Sequence, residues 1–316
     1  MASSNTAERR TCDLAHLAAA SLVAEARLTP KPGLVDCATT GAHTDMDLST
    51  FMASAAALEP LFAEYAAAGA DLGTDDPAAL ARAMRDIGIR AEAAMFAATD
   101  GVNTHKGANF TFALVLGATG ALMESGGTEI AAGTLDAHGT EAVLTLVSRM
   151  GAGLLDHDVR ALHERVSATG DTAQLSHGER LLLLRGMQGV RGEAAQGYPQ
   201  LSRTLLPYLR SHPLGTHAPG AARIMLLRAL VKLMADLEDT NVVHRGGPEA
   251  LSAHRAFCRA LDARDVPDEE LIATLSAYDA ELIRTNVSPG GAADLLSLGI
   301  FFALLEGLIT QTDIAY

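Results

Sequence analysis

The chain has 316 residues; 48% of them are hydrophobic, only 4% are aromatic, and the formal net charge is −14 at pH 7. This length suits one large domain or two small ones, and a core with few aromatic side chains favours closely packed helices over a β-sandwich. The negative charge argues against a general nucleic-acid binder, because such proteins neutralise phosphates with an excess of lysine and arginine. No uninterrupted apolar run reaches about 18 residues, so the sequence predicts no membrane-spanning helix.

The cysteines and lysines are few, and their positions carry information. Cys12, Cys37 and Cys258 show no metal or disulfide spacing, which indicates reduced thiols in a cytoplasmic protein. Only three of the 24 basic residues are lysines, and two of these, Lys31 and Lys106, lie within the most polar segments. Because a compact ammonium group is a natural partner for phosphate oxygens, both are candidates for phosphate binding.

Apolar residues recur at helical spacing along most of the chain, and no segment alternates as a β-strand does. Residues 1–10 are predicted to be a flexible extension, and residues 11–316 a single all-α domain with one or two buried central helices. The predicted helices cover residues 13–27, 47 to beyond 62, 76–98, 108–123, 141–155, 158–166, 179–184, 201–209, 221–237, 248–261, 268–284 and 292–309. Residues 167–177 and 211–219 are predicted polar connectors.

The segment at residues 25–47 begins EARLTPKPGLVD and later reads GAHTDMD. Two prolines restrict its backbone to extended geometry and a glycine permits a turn, so Thr29, Lys31 and Asp36 are held in fixed relative positions. His43 follows within reach. A cation, a histidine and carboxylates on a rigid frame indicate a site for a charged, metal-bound ligand. The alternative is a structured loop whose polar groups cap its own backbone.

The segment GVNTHKG, residues 101–107, leads into the predicted helix at 108–123, which is apolar on nearly all sides. Asn103 or Thr104 is its predicted N-cap, with His105 and Lys106 in the first turn. A helix N-terminus disfavours a lysine unless an anion is bound, in which case backbone N–H groups and the ammonium group converge on a phosphate. The alternative, a helix start at the surface that tolerates a lysine, suits so apolar a helix less well.

A glycine-punctuated turn is predicted at residues 189–199, GVRGEAAQGYP. It contains Arg191 and Glu193, an arginine next to a carboxylate, which is a candidate site. A local ion pair between the two side chains explains the same pattern equally well. From the residues alone, both interpretations stay open.

The segment DTNVVHRGG, residues 239–247, follows a strong helical pattern. His244 and Arg245 before two glycines are typical of a helix end. That interpretation leaves Asp239 and Asn241 unexplained, because acidic groups at a helix C-terminus oppose the helix dipole unless a cation neutralises them. Mg²⁺ takes one or two carboxylates together with waters and substrate phosphates, and these residues fit such a site.

The last predicted helix opens with NVSPGGAAD, residues 286–294. Ser288 as N-cap and Pro289 at the first helical position explain much of this segment. Asp294 lies where the helix becomes apolar, so it is a candidate buried carboxylate that needs a partner. The chain has no Walker-type glycine loop and no dinucleotide fingerprint, so a nucleotide would be held by helix ends and scattered cations.

Together these segments resemble the triphosphoribosyl-dephospho-CoA synthase family. The resemblance rests on five blocks in the family's order: LTPKPGLVD with GAH and DM, GVNTHKG, RGEA, DTNV with HRGG, and SPGG with ADLL. The blocks span about residues 20–305, whereas residues 124–174 carry no matching motif. Five separate blocks over nearly the whole chain make the resemblance specific.

The resemblance implies an all-α fold and a reaction between ATP and 3′-dephospho-CoA. Adenine leaves, and a 2′-(5″-triphosphoribosyl) linkage forms. The product becomes the prosthetic group of an acyl carrier subunit, in citrate lyase or in malonate decarboxylase. Neither nucleic acid nor a membrane is expected as a partner, and the sequence leaves open whether the chain forms a homodimer.

The reaction breaks an N-glycosidic bond at the ribose of ATP, so carboxylates and a proton donor are required where positive charge develops on the sugar. We assign the candidate residues by chemistry, as hypotheses. The candidates for phosphate and substrate binding are Thr29, Lys31, Asn103, Lys106, Arg191, Asn241, His244 and Arg245. The candidate Mg²⁺ ligands are Asp36, Asp239 and Asp294, and the catalytic candidates are Glu193 as base and His43 or His105 as the group that protonates adenine.

Two other functions fit parts of the pattern. A Mg²⁺-dependent all-α nucleotide-ribosyl glycohydrolase would use the same carboxylates but would pass the sugar to water. A non-catalytic helical binding module would release no adenine, and it explains the polar motifs poorly because an unpaired buried charge is costly.

Overall fold

The computed structural model describes residues 2–126, 133–169, 172–173, 175–212, 214 and 220–315. Throughout these residues the secondary structure consists of helices and turns, without a strand, which confirms the predicted all-α class. No described helix is both long and apolar enough to cross a membrane. Most of the predicted connector at 211–219, and part of the one at 167–177, lie outside the described residues.

The described chain forms twelve α-helices and one short π-helical turn. They are α1 (Ala2–Arg27), α2 (Leu48–Leu72), α3 (Pro77–Ala98), α4 (Lys106–Gly126), α5 (Ala137–Thr169), α6 (His177–Arg185), α7 (Gly189–Ala195), the π-helical turn (Leu201–Leu205), α8 (Leu206–Ser211), α9 (Ala221–Asp236), α10 (Thr240–Arg264), α11 (Asp268–Thr285) and α12 (Gly290–Leu305).

The starts of α2 and α3 lie where the sequence predicts them, because side-chain caps define both. The Asp47 carboxylate accepts a hydrogen bond from the Thr50 backbone N–H at 3.0 Å, and the Asp47 backbone N–H donates to the Thr50 hydroxyl. Asp76 accepts from the backbone N–H groups of Ala78 and Ala79 at 3.0 and 2.9 Å. These contacts satisfy N–H groups that have no partner inside the helix.

Two other predicted boundaries differ from the structure. Helix α1 begins at Ala2 rather than near residue 13, since polar residues extend the helix beyond its apolar part. The flexibility of residues 1–10 stays a prediction. The helices predicted at 141–155 and 158–166 form the single helix α5, because neither glycine nor proline lies between them.

The segment predicted as a turn at residues 189–199 contains helix α7, so that prediction is wrong for its first half. Gly189 and Gly197 adopt positive φ angles of 55° and 72°, which side chains with a Cβ resist. The two glycines therefore bracket a short helix and do not interrupt it.

The interpretation that places Asp239 at a helix C-terminus is wrong, whereas the helix end predicted at residues 244–247 coincides with a break in helical geometry at Gly247. Helix α9 already ends at Asp236, and Asp239 is the N-cap of α10. Gly247, with φ 78° and ψ 177°, is not helical, so residues 244–246 end the short first part of α10 before a kink. At the last helix, α12 begins at Gly290 after Pro289, and Ser288 does not cap it.

Helices α4 and α12 are the buried central helices that the composition predicts. Residues 111–121 of α4 and 295–305 of α12 are all buried. Phe112 of α4 meets Phe301 of α12 edge to face, with ring centroids 5.6 Å apart. Because both central helices begin beside the same polar loops, the N-termini of α4 and α12 form one wall of a cleft.

Candidate functional site

A cleft of about 1130 Å³ opens beside the N-termini of α4, α6 and α12. Each of the five polar segments singled out from the sequence contributes residues to its lining. The predicted site residues that line it are Lys31, His43, Asn103, His105, Lys106, Arg191, Asn241, His244, Arg245 and Asp294. The other four, Thr29, Asp36, Glu193 and Asp239, are not among the lining residues.

Asp36 organises the loop that follows α1. One carboxylate oxygen accepts a hydrogen bond from the Lys31 backbone N–H at 2.9 Å, and the other accepts from the N–H groups of Ala38 and Thr39 at 2.7 and 2.9 Å. Thr29 supports the same loop, since its hydroxyl donates to the Arg27 carbonyl at 2.9 Å. The carboxylate thus closes the turn that presents Lys31.

Asp239 joins two helix starts. Its Oδ1 accepts from the backbone N–H groups of Asn241 and Val242 at the start of α10, at 2.8 and 3.3 Å. Its Oδ2 accepts from the Ala292 N–H at the start of α12, at 3.1 Å. Burial raises the pKa of Asp239 to about 6, against the effect of these hydrogen bonds. The carboxylate therefore needs no cation to explain its position.

Glu193 lies on α7, behind the cleft wall. Its Oε2 accepts a hydrogen bond from the Gln200 backbone N–H at 3.2 Å, and burial raises its pKa. No ion pair joins Glu193 to Arg191, whose guanidinium instead pairs with Asp158. The local ion pair considered from the sequence is therefore wrong.

The cleft floor holds a buried ion pair between Lys31 and Glu25, which are 1% and 3% exposed. Burial raises the pKa of Glu25, and the Lys31 ammonium group opposes that rise. Glu25 is a lining residue that the candidates chosen from the sequence omit. One signal was available: an acidic residue in the last turn of a helix opposes the dipole and so needs a cation.

Asp294 is the second carboxylate of the floor, and it is half-buried. It accepts a hydrogen bond from the Ala108 backbone N–H in the first turn of α4, and a side chain at Gly107 would collide with it. Burial raises the pKa of Asp294 well above its usual range, and the charges of Glu25 and Asp239 add to the rise. Carboxylates from α1, α10 and α12 therefore lie near one another.

His43 is neutral, and its tautomer follows from its partners. Arg245 Nη2 lies 3.2 Å from His43 Nδ1, and because arginine only donates hydrogen bonds, Nδ1 carries no proton. Nε2 carries it and donates to the Ser288 hydroxyl at 3.1 Å. Burial and Arg245 lower the pKa of His43 to about 4. The ring therefore does not activate Ser288 as a nucleophile, despite the proximity of the two side chains.

His105 is the second neutral histidine. It is 3% exposed, and burial together with the charge of Lys31 lowers its pKa to about 3. It directly precedes α4, whereas the sequence places it in the first turn. Its Nε2 is buried and has no hydrogen-bond partner among the described residues.

An arginine-rich wall occupies another part of the cleft. Asp158 of α5 pairs through one oxygen with Arg85 at 2.7 Å and through the other with Arg191 at 3.2 Å. The Arg191 guanidinium lies 5.0 Å from the centroid of the Phe110 ring. Two cations share one carboxylate here, so this wall is suited to an additional anion.

The cleft rim carries a further lysine and two histidines. Lys106 Nζ lies 2.9 Å from Glu92 Oε2 and is half-exposed. His244 stacks on His177, with ring centroids 3.5 Å apart. Asn103 accepts a hydrogen bond from the Lys106 backbone N–H at 3.3 Å, as an N-cap does. Within the described residues, no group of three or more His, Cys, Asp or Glu side chains is placed to hold a metal ion.

The comparison with known families decides the identity. The family described as ATP:dephospho-CoA triphosphoribosyl transferase matches residues 11–312. The chain belongs to this family. The family assignment confirms both the resemblance and the predicted transferase class, and it does not favour the glycohydrolase.

Streptococcal relatives of the chain match over nearly their whole length. A Streptococcus mutans protein named "Probable 2-(5''-triphosphoribosyl)-3'-dephosphocoenzyme-A synthase" is 39% identical over 96% of this chain and 99% of its own. Proteins of the same name from Streptococcus equi subsp. zooepidemicus and Streptococcus pyogenes are 42% and 40% identical, over 93% and 94% of this chain and 97% of their own. No solved structure gives a significant match.

Proposed function

We propose that the protein joins ATP to 3′-dephospho-CoA, releases adenine and forms 2′-(5″-triphosphoribosyl)-3′-dephospho-CoA. The family and the names of the relatives support this reaction. The observation that carries it in the structure is the convergence of five separate polar segments on one cleft with cations and buried carboxylates. Such a lining suits a polyphosphate substrate whose sugar becomes positively charged during the reaction.

In the proposed reaction, the bond between adenine and the ATP ribose breaks while a ribose hydroxyl of dephospho-CoA forms the new bond. The proton lost by that hydroxyl is the one that the released adenine gains, so the equation balances. Glu25 lines the floor and is anchored by Lys31, so we assign it, in place of the more remote Glu193, as the carboxylate that accepts the hydroxyl proton. Because burial lowers the pKa of His43 and His105, we propose that they donate hydrogen bonds to the substrate and do not protonate adenine.

We propose Mg²⁺ as the cofactor, bound together with ATP. Mg²⁺ uses one or two protein carboxylates, with waters and substrate phosphates as its other ligands. Asp294 fits this requirement because it lies half-buried in the cleft lining, with Glu25 close enough to raise its pKa. Asp36 and Asp239 are weaker candidates, since backbone N–H groups already occupy their carboxylates. The ion would offset the negative charge of the triphosphate.

The two substrates would occupy different parts of the cleft. The triphosphate of ATP suits the N-terminus of α4, with Lys31 and Lys106 close by. The diphosphate of dephospho-CoA suits the wall in which Arg85 and Arg191 share Asp158. Exposed ion pairs are weak, so a phosphate can replace the carboxylate as the partner of Arg191.

The wider assignments follow the resemblance. We propose a cytoplasmic enzyme whose product is attached to an acyl carrier subunit, of malonate decarboxylase or of citrate lyase. The three cysteines, which show no disulfide or metal spacing, support the assignment to the reducing cytoplasm. A homodimer stays a proposal, which size-exclusion chromatography with light scattering tests.

Adenine release tests the reaction. The purified protein is incubated with ATP and Mg²⁺, with and without 3′-dephospho-CoA, and adenine is quantified by chromatography. We expect adenine only when the acceptor is present, together with a product whose mass is that of dephospho-CoA plus a triphosphoribosyl group. Release without the acceptor would favour hydrolysis, and no release under either condition would contradict the proposal.

The substitution Lys106→Ala tests the phosphate subsite. Removal of a half-exposed ammonium group beside a triphosphate should raise the KM for ATP about 5- to 20-fold, with the fold intact. Lys232→Ala is the matched control, because Lys232 also forms an ion pair, with Asp262 at 2.7 Å, and does not line the cleft. Equal KM values for Lys106→Ala and the parent enzyme would show that the assignment is wrong.

A further inference from the structure

Two hydroxyl groups, the buried one of Ser54 and the half-buried one of Thr104, lie beside the ring of His105. Ser54, on α2, is fully buried, and its Oγ is 2.7 Å from His105 Nδ1. The Thr104 hydroxyl donates to the same Ser54 oxygen, also at 2.7 Å. The three side chains form a chain of hydrogen bonds from the loop before α4, through α2, and back to the ring.

The order of the donors determines where the imidazole proton lies. Ser54 Oγ receives the Thr104 proton, so its own proton points to His105 Nδ1, which then acts as an acceptor. A neutral imidazole with an acceptor at Nδ1 carries its proton on Nε2. In the opposite tautomer, both His105 Nδ1–H and the Thr104 hydroxyl would donate to Ser54 Oγ. The buried Ser54 O–H group would then have no acceptor, which is costly.

Among the described residues, no group accepts a hydrogen bond from the Nε2–H group of His105. This nitrogen is buried and unpartnered, and His105 lines the cleft. A buried donor without a partner costs about 1–3 kcal/mol, so a bound water or a ligand is expected to complete it.

The surroundings indicate an anionic acceptor. His105 directly precedes α4, whose N-terminal N–H groups carry partial positive charge, and the Lys31 charge acts on the ring. A second full positive charge on His105 would be unfavourable there, whereas a neutral N–H adds a directed hydrogen bond at no such cost. Phosphoryl oxygens are the acceptors that such a helix start binds best.

We infer that His105 donates its Nε2 hydrogen bond to a phosphoryl oxygen of the nucleotide triphosphate, and that Ser54 and Thr104 are positioning residues that hold His105 in this tautomer. The inference rests on the proposed function only for the identity of the ligand as ATP. The tautomer itself follows from contacts within the chain.

Nitrogen NMR of the ¹⁵N-labelled protein measures the tautomer directly, with the His105→Gln spectrum used for assignment. At pH 7 we expect the shifts of a protonated Nε2 and an unprotonated Nδ1, unchanged down to about pH 5. A protonated Nδ1, or an imidazolium at pH 7, would overturn the inference whatever the enzyme's activity.

Calorimetric titration with ATP and Mg²⁺, without dephospho-CoA, measures the hydrogen bond. His105→Leu, which has no donor, should weaken ATP binding about 10- to 100-fold, the effect of one hydrogen bond to a charged group. His105→Gln places an amide N–H near the position of Nε2 and should recover most of the affinity. Wild-type affinity in His105→Leu, or equal losses in both variants, would contradict the assignment.

Ser54→Ala and Thr104→Val test the positioning residues. We expect each to weaken ATP binding about 3- to 10-fold and to give mixed tautomer signals for His105, as suits the loss of a neutral hydrogen bond. Ser21→Ala and Thr119→Val are matched controls, because both remove buried hydroxyls that donate to carbonyls within their own helices.

Unchanged tautomer signals and ATP affinity in Ser54→Ala and Thr104→Val would overturn the positioning role. If Ser54→Ala fails to fold, the Thr104→Val variant still tests the positioning role, and the wild-type spectrum still tests the tautomer of His105. Both readouts are independent of adenine release, so failure of this inference is distinguishable from failure of the proposed function. Absence of ATP binding by the wild-type protein would contradict the assignment of the ligand.

Discussion

Buried charges around the cleft are stabilised in two different ways. Asp36 and Asp239 accept hydrogen bonds from backbone N–H groups, and they determine the shapes of a loop and of two helix starts. Glu25 instead depends on one side chain, the ammonium group of Lys31. A carboxylate that accepts hydrogen bonds from the backbone keeps its partners when neighbouring side chains are substituted. A carboxylate paired with one cation loses its partner when that cation is substituted.

The Glu25–Lys31 pair should therefore show strong coupling. Lys31→Met leaves Glu25 buried without a counter-ion and should lower the free energy of unfolding by about 3 kcal/mol. Glu25→Gln combined with Lys31→Met removes both charges and should recover much of that loss. Urea denaturation of the wild type, the two single variants and the double variant measures the coupling. Additive losses of unfolding free energy would contradict the buried pair.

His254 provides a test of pH dependence away from the cleft. Burial lowers its pKa from 6.5 to about 4, so between these values the unfolded chain binds a proton that the folded chain does not. Acid therefore favours unfolding: relative to His254→Gln, the wild type should lose up to about 1.4 kcal/mol of unfolding free energy per pH unit between about pH 6.5 and pH 4. Denaturation of both proteins at several pH values measures this slope. If the unfolding free energies of the two proteins change equally with pH, the pKa of His254 is not lowered in the folded state.

Helices α2 and α4 approach each other closely through glycines. A Cβ on Gly69 would collide with the Gly117 carbonyl, and a Cβ on Gly120 would collide with the Ala66 carbonyl. The same two elements carry Ser54 and the residues before α4, so their separation determines the distance from Ser54 to His105. The sequence shows only small residues at these positions, and which glycine needs the space depends on the packing.

Gly69→Ala should lower the free energy of unfolding by about 1–3 kcal/mol, because the backbones must separate to admit a methyl group. Gly153→Ala on α5 is the matched control: no atom lies within 4 Å of the added Cβ, and alanine should be neutral or stabilising in a helix. Thermal denaturation compares the two variants. Equal melting temperatures would contradict the close approach of α2 and α4.

The elements with local causes could be predicted, and those with tertiary causes could not. Asp47 and Asp76 predict the starts of α2 and α3, because an N-cap is a contact between near neighbours in the chain. The N-cap role of Asp239 was missed, since the same acid and the glycines after it also suit the end of a helix. Likewise, Gly189 and Gly197 suggest a turn, and only packing shows that a helix lies between them.

At the scale of the whole molecule, the chain brings distant segments to one cleft. The sequence identifies which segments are polar and buried, and ten of the predicted site residues line the cleft. It does not reveal which face of each segment meets the cleft, because a side chain's direction depends on contacts far along the chain. Ser54, Arg85 and Asp158 were missed for that reason, because each lies in an ordinary helical pattern.

A structure of the enzyme with ATP and Mg²⁺ tests the central claim, which is that this cleft holds the nucleotide with its phosphates at the start of α4. We predict phosphoryl oxygens within hydrogen-bonding distance of His105 Nε2, a magnesium ion at Asp294, and the ribose directed towards Glu25. A nucleotide bound outside the cleft, or with its adenine at the start of α4, would contradict the account.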